Sequence, residues 1–257
     1  MPTRLFDIFA YQNNTVMRSF IAALAVSLFL SIPVLSNAQA FSKDDPVGAE
    51  QVFVTTAAEG WVSERTTYKI IDKQETAGKT TLTIAAHASV RAARDSMPIE
   101  TDVTVKIVYT ASSIILPREN FTGSASMIEK ELEGYKVDMK FSGDDPSVPI
   151  APKVGDKLPD TEIKGDINIE GIKAKMSLKA SDRRITGQER VTVPAGTFDC
   201  FVMEETTTAK VSVLIISESE KTMEKSWLVP GMGDVKSATY DKKGKLVSTE
   251  EMISYKK

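Results

Sequence analysis

The sequence predicts an all-β protein with little helix, in which an antiparallel meander of about ten strands curls into a partly closed barrel or a sandwich. Apolar and polar side chains alternate with a period of two in segments such as 103–110, 135–141 and 172–179, which is typical of strands with one buried face. Short turns rich in Gly, Pro and Lys separate such segments and favour pairing between consecutive antiparallel strands. Curling is expected because closure protects the edges that many strands otherwise leave open.

The first 40 residues have the pattern of an N-terminal extension followed by a cleaved signal peptide. Arg18 precedes an apolar run at 20–30, and Ala38 and Ala40 fit the small-residue rule of a signal peptidase site. Because that run is shorter than the roughly 20 residues that span a membrane, we expect cleavage near Ala40 rather than an anchor. The mature chain would then lack an integral membrane segment.

The same segment predicts where the protein works. Met17 is a better start for such a signal than Met1 is, and no Cys follows Ala40 to carry a lipid. We therefore expect a soluble, exported product in the periplasm or outside the cell.

The mature chain, residues 41–257, is expected to form a single β-rich domain. A possible subdivision lies at the irregular stretch 142–161, which holds four prolines and two glycines. One short helix is predicted at 126–133, where Ser126 can cap the N-terminus and Glu129 completes a capping box.

Charge and cysteine content exclude some classes of protein. Residues 41–257 carry 30 Lys and Arg against 34 Asp and Glu, a net charge of −4, which argues against a nucleic-acid partner. The single cysteine, Cys200, excludes a disulfide within the chain. No cofactor and no metal is expected, and the partner is unknown.

His87 and Cys200 carry side chains that could act as a base or a nucleophile, but for each of them a structural role is the better interpretation. His87, the single histidine, falls on the Thr81 and Thr83 face of a predicted strand, and we expect it to be half-exposed. Cys200 lies between acidic neighbours that disfavour a thiolate, and we expect it to be buried and inert.

The acidic and basic clusters carry no clear site either. The pairs at 44–45 and 144–145 precede prolines and are expected to be solvated loop acids rather than catalytic carboxylates. The segment 166–171 resembles the opening of a calcium loop, but position 12 of that loop is Ser177 instead of an acidic ligand. The lysines at 173, 175 and 179 are expected to belong to a mixed solvated surface. No catalytic residue is predicted.

Some strands are apolar on both faces, and this suggests a ligand or a partner. Phe198, Cys200 and Val202 lie against Phe201 and Met203 on the opposite face of one strand, and the segment 211–216 repeats this pattern. Such strands occur where one face meets the core and the other meets a lid, ligand or second layer. The leading hypothesis is a non-catalytic exported module that binds an apolar or amphipathic ligand or an envelope partner. A structural envelope protein without a ligand and a carboxylate-dependent hydrolase are the alternatives.

The C-terminal third has a motif that resembles a known family. The sequence GQERVTVPAGTFDC at 187–200 is followed by KSWLVPGMGDVK at 225–236 and by KGK at 243–245. This pattern is similar to that of the TapB-like exported bacterial domains, the domain-of-unknown-function 3108-like group. The resemblance implies a β-rich, barrel-like exported domain and brings no catalytic residues.

The motif residues also have physical reasons to define a fold. Pro194 fixes φ at a turn, Gly196 can adopt positive φ, and Trp227 is large enough to plug one end of a sheet. The predicted fold-defining residues are Pro194, Gly196, Phe198, Trp227, Pro230, Gly231 and Gly233.

Overall fold

The structure, a computed structural model, describes residues 41–257 except 92, 124–136, 170–171 and 214–215. The predicted helix at 126–133 lies outside these residues. The described part contains a short 3-10 helix (Arg118–Gly123) and thirteen strands: β1 (Glu50–Ala57), β2 (Val62–Thr76), β3 (Lys79–Val90), β4 (Ile99–Tyr109), β5 (Ser113–Ile115), β6 (Val137–Gly143), β7 (Ser147–Pro149), β8 (Thr161–Ile169), β9 (Ile172–Val193), β10 (Gly196–Val213), β11 (Ile216–Val229), β12 (Gly233–Asp241) and β13 (Leu246–Lys256).

All thirteen strands belong to one antiparallel sheet. Their order is β6-β8-β9-β10-β11-β12-β13-β1-β2-β3-β4-β5-β7, so most neighbours in the sheet are also neighbours in the chain. The predicted all-β class and curled antiparallel sheet are confirmed, and the sheet does not close into a barrel. The predicted number of strands, about ten, is too low, partly because β5 and β7 are only three residues long.

The two edges of the sheet are consecutive in the chain, and this explains the curl. β6 forms one edge and β7 the other, yet β7 begins only four residues after the end of β6. Four residues span at most about 14 Å, so the sheet must bend until its two edges approach each other.

Asp144 and Asp145 fasten the connection between these edges. Asp144 exchanges two hydrogen bonds with Glu162: each backbone N–H donates to an oxygen of the other residue, at 2.9 Å. Arg118 of the 3-10 helix donates from its backbone N–H and its Nη1 to Asp145 Oδ1, both at 3.0 Å. Both residues are exposed, as expected, and their hydrogen bonds also give them a structural role in this connection.

Part of the stretch predicted to be irregular forms strand. β6 extends to Gly143, Ser147–Pro149 forms β7, and β8 begins at Thr161. The backbone of β7 pairs with β5 from Ser113 to Ile115, so its one proline, Pro149, lies at the edge of the sheet, where a missing N–H donor is tolerated.

The period-two pattern of the sequence becomes the core. In β3, every second residue from Leu82 to Val90 is buried, and β4 contributes Val105, Ile107 and Tyr109. Phe53 and Tyr68 pack edge to face, with ring centroids 5.9 Å apart. This apolar cluster continues on β10 and β11 through Cys200, Val202 and Trp227.

The two ends of the described chain are tied to the same region of the sheet. The Tyr255 hydroxyl donates to Asp45 Oδ2, and the Tyr109 hydroxyl donates to the carbonyl oxygen of Phe41. Asp45 and Phe41 are 1% and 0% exposed. The expectation that Asp45 is a solvated loop residue is therefore wrong, because it is buried and accepts hydrogen bonds from both ends of the described chain.

Candidate functional site

The curled sheet surrounds a cavity of about 480 Å³, a volume typical of small-molecule sites. One part of its lining is apolar and comes from the region of β5, the 3-10 helix, β8 and β9: Ile114, Leu116, Phe121, Ile163 and Leu178. Another part is polar and comes from β2 and from β9 to β12: Glu64, Arg183, Glu205, Glu224 and Asp234. The cavity is therefore amphipathic.

Strand pairing arranges the polar side chains in two adjacent rows that cross the sheet. In the first row, successive neighbours on β10 to β13 are Glu205, Glu224, Thr239 and Ser248. In the second row, successive neighbours from β11 through β13 and β1 to β2 are Ser226, Ser237, Glu250, Thr55 and Glu64. Where both rows cross one strand, their members are two residues apart and so face the same side.

Arg183 neutralises one carboxylate of the first row. Its Nε lies 3.0 Å from Glu205 Oε2, and the two side chains are 4% and 12% exposed. A buried ion pair is tolerated only when further hydrogen bonds satisfy both groups. Arg183 meets this condition because its Nη1 donates to the Pro159 carbonyl oxygen at 3.2 Å and its Nη2 to the Ser147 carbonyl oxygen at 3.0 Å.

Two other carboxyls are titratable near neutral pH. Burial raises the pKa of Glu224 to about 8, and the neighbouring Glu205 adds to the increase while Ser226 opposes it. Burial raises the pKa of Glu64 to about 7, although the Thr66 hydroxyl, which donates to it at 2.7 Å, lowers it. Both carboxyls are therefore protonated in part at neutral pH.

Asp234 and Glu250 extend this group of protonated carboxyls. Burial raises the pKa of Asp234 well above its ordinary range, with Glu224 and Glu205 adding to the rise and Ser226 and Arg183 opposing it. Burial also raises the pKa of Glu250, with contributions from Glu64, Glu224 and Asp234. The polar side of the cavity thus holds several neutral carboxyls beside one ion pair.

Hydrogen-bond donors are scarce around Asp234. The residue is 3% exposed, and its Oδ1 has no hydrogen-bond partner among the described residues. The Ser226 hydroxyl lowers the pKa of both Glu224 and Asp234. It carries only one proton, however, and it donates that proton to Glu224 Oε1 at 3.2 Å. Unpaired buried acceptors cost free energy, so a donor supplied by a ligand would stabilise this part of the cavity lining.

His87 lies on the exposed face of β3, away from the cavity. Its Nδ1 is 2.8 Å from Asp102 Oδ1 and its Nε2 is 3.4 Å from Glu100 Oε2. The side chain is 57% exposed, as the strand alternation predicts, and it lies on the sheet surface beside Asp102 and Glu100.

Cys200 is a buried free thiol on β10. Burial, with smaller contributions from Asp234, Asp199 and Glu189, raises its pKa to about 12. The thiolate form is therefore scarce at neutral pH, and the thiol packs in the core beside Val202 as the sequence predicts.

The calcium-like segment and the lysines form part of the sheet surface. Asp166 lies within β8 and pairs in register with Lys140 on one side and Lys175 on the other. Lys179 pairs with Glu162, and its Nζ is 3.4 Å from Asp160. Within the described ranges, no group of three or more His, Cys, Asp or Glu side chains is arranged to hold a metal ion.

Pro194, Gly196 and Phe198 lie at the hairpin between β9 and β10. Gly196 is the first residue of β10 and has φ of +148°, and the Phe198 side chain packs against the core cluster. The Ala195 N–H donates to the Met252 carbonyl oxygen at 3.2 Å. The hairpin is thus fixed to β13 as well as to its own strands.

Trp227 lies near the end of β11, and Pro230 and Gly231 lie in the turn between β11 and β12. The Trp227 Nε1–H donates to Glu189 Oε2 at 2.7 Å, and the Lys225 Nζ lies 4.6 Å from the indole centroid. Pro230 and Gly231 form the turn, in which the Met232 N–H donates to the Val229 carbonyl oxygen at 3.0 Å. Gly233 then begins β12.

The carboxyls of the cavity were not identified from the sequence. The alternating pattern predicts apolar residues inside and polar residues outside, whereas β11 directs Glu224 and Ser226 inward and leaves Met223 38% exposed. The available signal was acidic or hydroxyl residues at every second position of consecutive strands, as at Thr222, Glu224 and Ser226.

A helix that could cross a membrane, by length and hydropathy, is missing from the part of the chain that the structure describes. Comparisons with known proteins support the fold. A family model described as DUF3108-like matches residues 48–252. A comparison with curated proteins found no match.

Two solved structures resemble this one over 86% of its length. One is a presumed exported protein with a YmcC-like fold from Bacteroides fragilis, with a TM-score of 0.59, 17% identity and 100% of its own chain covered. The other is a presumed lipoprotein from Parabacteroides distasonis, with a TM-score of 0.59, 16% identity and 99% coverage. At these identities the likeness concerns the fold alone.

Proposed function

We propose that the chain, which belongs to the DUF3108-like family, is a non-catalytic exported β domain that binds an amphipathic small ligand. The observation that carries the proposal is the cavity of about 480 Å³, whose lining is apolar near Phe121 and Leu178 and carboxyl-rich near Glu224 and Asp234. Small-molecule sites commonly combine an apolar lining with a few polar groups that orient the ligand.

The apolar part of the lining supports burial of a hydrocarbon segment. Ile114, Phe121 and Ile163 are each at most 5% exposed and belong to the main core cluster. They therefore offer packed walls that do not have to form when the ligand arrives. Transfer of apolar surface from water to such walls stabilises a complex by about 25 cal/mol per Å².

Export supports a ligand of the envelope rather than of the cytoplasm. Residues 17–40 have the pattern of a cleaved signal peptide, and the two structural neighbours are described as a presumed exported protein and a presumed lipoprotein. In this proposal the mature chain begins near Phe41 as a single domain and works in the periplasm or outside the cell.

Titration with an environment-sensitive apolar dye tests ligand binding. N-Phenyl-1-naphthylamine should bind the wild-type protein with enhanced fluorescence, and Ala180→Phe should weaken this binding at least about tenfold, because Ala180 lines the cavity. The matched control is Ala77→Phe, which adds the same ring at an exposed turn.

The outcome distinguishes the proposed ligand-binding domain, called the carrier below, from its main alternative, a structural envelope protein without a small ligand. Equal dye binding by wild type, Ala180→Phe and Ala77→Phe would contradict the carrier. A stoichiometric protein partner recovered from envelope extract would then favour the rival.

A carboxylate-dependent hydrolase is a second candidate, favoured by the pairing of Glu205 with Glu224. Directly paired residues have Cβ atoms about 5 Å apart, so both carboxyls lie on the same stretch of the cavity wall, and glycosidases use a pair of neighbouring carboxyls. Arg183 pairs with Glu205 while burial raises the pKa of Glu224 to about 8, and a carboxyl with a raised pKa can serve as a general acid. Turnover of aryl glycosides that disappears in both Glu205→Gln and Glu224→Gln would support this candidate, whereas its absence in the wild type would exclude these substrates.

A further inference from the structure

The charges that line the cavity are unbalanced. Among the described lining residues, five are acidic (Glu64, Glu205, Glu220, Glu224 and Asp234) and two are basic (Arg91 and Arg183). Arg183 is already engaged by Glu205 and two backbone carbonyl oxygens, and Arg91 is exposed. The polar side of the cavity therefore holds carboxyls that no buried cation of the described chain neutralises.

The pairing pattern concentrates these carboxyls at one place. Glu224 is paired with Glu205 on β10, and Asp234 lies on the neighbouring strand, β12, where it pairs with Leu228 of β11. The negative charge of Glu224 adds to the rise that burial causes in the pKa of Asp234. Like charges gathered in one buried place favour a cation as the missing partner.

An unsatisfied acceptor points to the same place independently of the charge count. Asp234 is 97% buried and lines the cavity, and its Oδ1 has no hydrogen-bond partner among the described residues. The Ser226 hydroxyl, which lowers the pKa of Asp234, donates to Glu224 Oε1 at 3.2 Å. A ligand with several N–H donors would satisfy oxygens that the protein leaves without donors.

We infer that the polar head of the cavity's ligand is a protonated amine, which pairs with the carboxylates of Glu224 and Asp234. This inference rests on the proposed function, because the apolar lining is assigned to the ligand's hydrocarbon part. A primary ammonium group suits the site because it carries three donors on a compact charge, and a charged donor forms the stronger hydrogen bonds to carboxylates.

Binding of the ammonium is coupled to loss of protons from the site. In the empty cavity the carboxyls hold protons, and each one that ionises on binding releases its proton to the solvent. The titratable groups coupled to Glu224 or Asp234 are Glu205 on β10, Arg183 on β9 and Glu250 on β13, and Glu64 on β2 acts on Glu250. Arg183 balances Glu205, and burial favours the protonated forms of Glu250 and Glu64. The negative charge that the amine meets therefore comes from Glu224 and Asp234 as they ionise.

Three ten-carbon amphiphiles with different heads test the assignment at concentrations below micelle formation. Displacement of N-phenyl-1-naphthylamine at pH 7.5 should show decylammonium binding at least about tenfold tighter than neutral decanol. Decanoate should bind more weakly than decanol, because its carboxylate meets carboxyls. Calorimetry in two buffers of different ionisation enthalpy should show proton release with decylammonium and none with decanol.

A double variant identifies the groups responsible. Glu224→Gln combined with Asp234→Asn should weaken decylammonium at least about tenfold and abolish proton release, while decanol affinity stays unchanged and reports an intact cavity. The control Asp199→Asn removes one carboxylate from an exposed position on the same sheet and should change neither affinity.

Each result bears on one of the two claims. Equal affinities for decylammonium and decanol, tighter binding of decanoate, or a double variant with wild-type preference for decylammonium would overturn the amine assignment and leave the carrier standing. Failure of all three amphiphiles to displace the dye, or of the dye to bind, would overturn the carrier and the amine assignment together.

Discussion

Glu205 on β10 lies directly opposite Glu224 on β11, on the face of the sheet that lines the cavity. Like charges in directly opposed positions normally destabilise a sheet. The structure resolves this conflict by giving the two carboxyls different surroundings: Arg183 pairs with Glu205 at 3.0 Å, whereas burial and Glu205 raise the pKa of Glu224 to about 8. The polar side of the cavity is thus a balance of one ion pair and several protonated acids.

Stability should fall as the pH rises through the range in which Glu224 ionises. Its folded pKa, about 8, lies above the ordinary value of 4.5, so the folded state binds more protons than the unfolded state between these values. Glu224→Gln should remove part of this pH dependence. Between pH 5 and pH 8.5, the wild type should lose on the order of 2 kcal/mol more of its free energy of unfolding than the variant does. Urea unfolding at pH 5, 7 and 8.5 measures it, with Asp199→Asn as the control. A Glu224→Gln curve parallel to the wild type would contradict the assignment.

Removal of Arg183 should destabilise the protein strongly. Arg183→Met leaves Glu205 as an unpaired buried carboxylate and the carbonyls of Pro159 and Ser147 without their donor, and breaking a buried pair costs about 3–5 kcal/mol. The double variant Arg183→Met/Glu205→Leu should recover most of that loss because no charge is left unpaired. Urea unfolding of the single and double variants tests this, and an additive double variant would show that the pair is not coupled.

The connection between the two edge strands, β6 and β7, should not tolerate a side chain at Gly143. Its φ is +104°, and an added Cβ would lie 2.1 Å from the Glu162 carbonyl oxygen. Gly143→Ala should therefore lower the free energy of unfolding by more than about 2 kcal/mol. The new Cβ forces the backbone contact with Glu162 to open, and the positive φ adds strain for any residue other than glycine. Gly78→Ala separates the two effects, since Gly78 also has positive φ but has nothing within 4 Å of the added Cβ. Equal decreases in the free energy of unfolding of the two variants would show that the contact between Gly143 and Glu162 has no special role.

Trp227 should stabilise the fold through its indole N–H as well as through its size. Trp227→Phe keeps an aromatic ring in the core but loses the hydrogen bond to Glu189 and weakens the contact with Lys225, at a cost of about 1–2 kcal/mol. Trp61→Phe, at a partly exposed position, should cost less than about 0.5 kcal/mol. Thermal unfolding of both variants decides whether Trp227 belongs among the fold-defining residues.

Much of the fold follows from local pattern. The alternation in 103–109 predicts β4 and its buried residues, and short turns predict the order in which most strands pair. The short strands β5 and β7 carry too few residues to show a period. The position of β7 depends on where the chain returns after β6, which no local pattern contains.

The cavity wall escaped prediction for a different reason. Inward residues were expected to be apolar, but Glu224, Ser226 and Glu250 face inward because the sheet curls around a space instead of closing on a filled core. Whether a strand faces core or cavity depends on the curvature of the whole sheet. The acidic pair at 144–145 shows the same limit, since its bracing role appears only when Arg118 and Glu162 are brought beside it.

Native mass spectrometry of the mature protein purified from its own envelope tests the central claim most directly. The account predicts a stoichiometric small molecule on the wild type and on the surface control Ala77→Phe, and its absence from Ala180→Phe, whose added ring occupies the cavity. A wild-type protein at its bare mass that also fails to bind N-phenyl-1-naphthylamine, or the same molecule retained by Ala180→Phe, would contradict it.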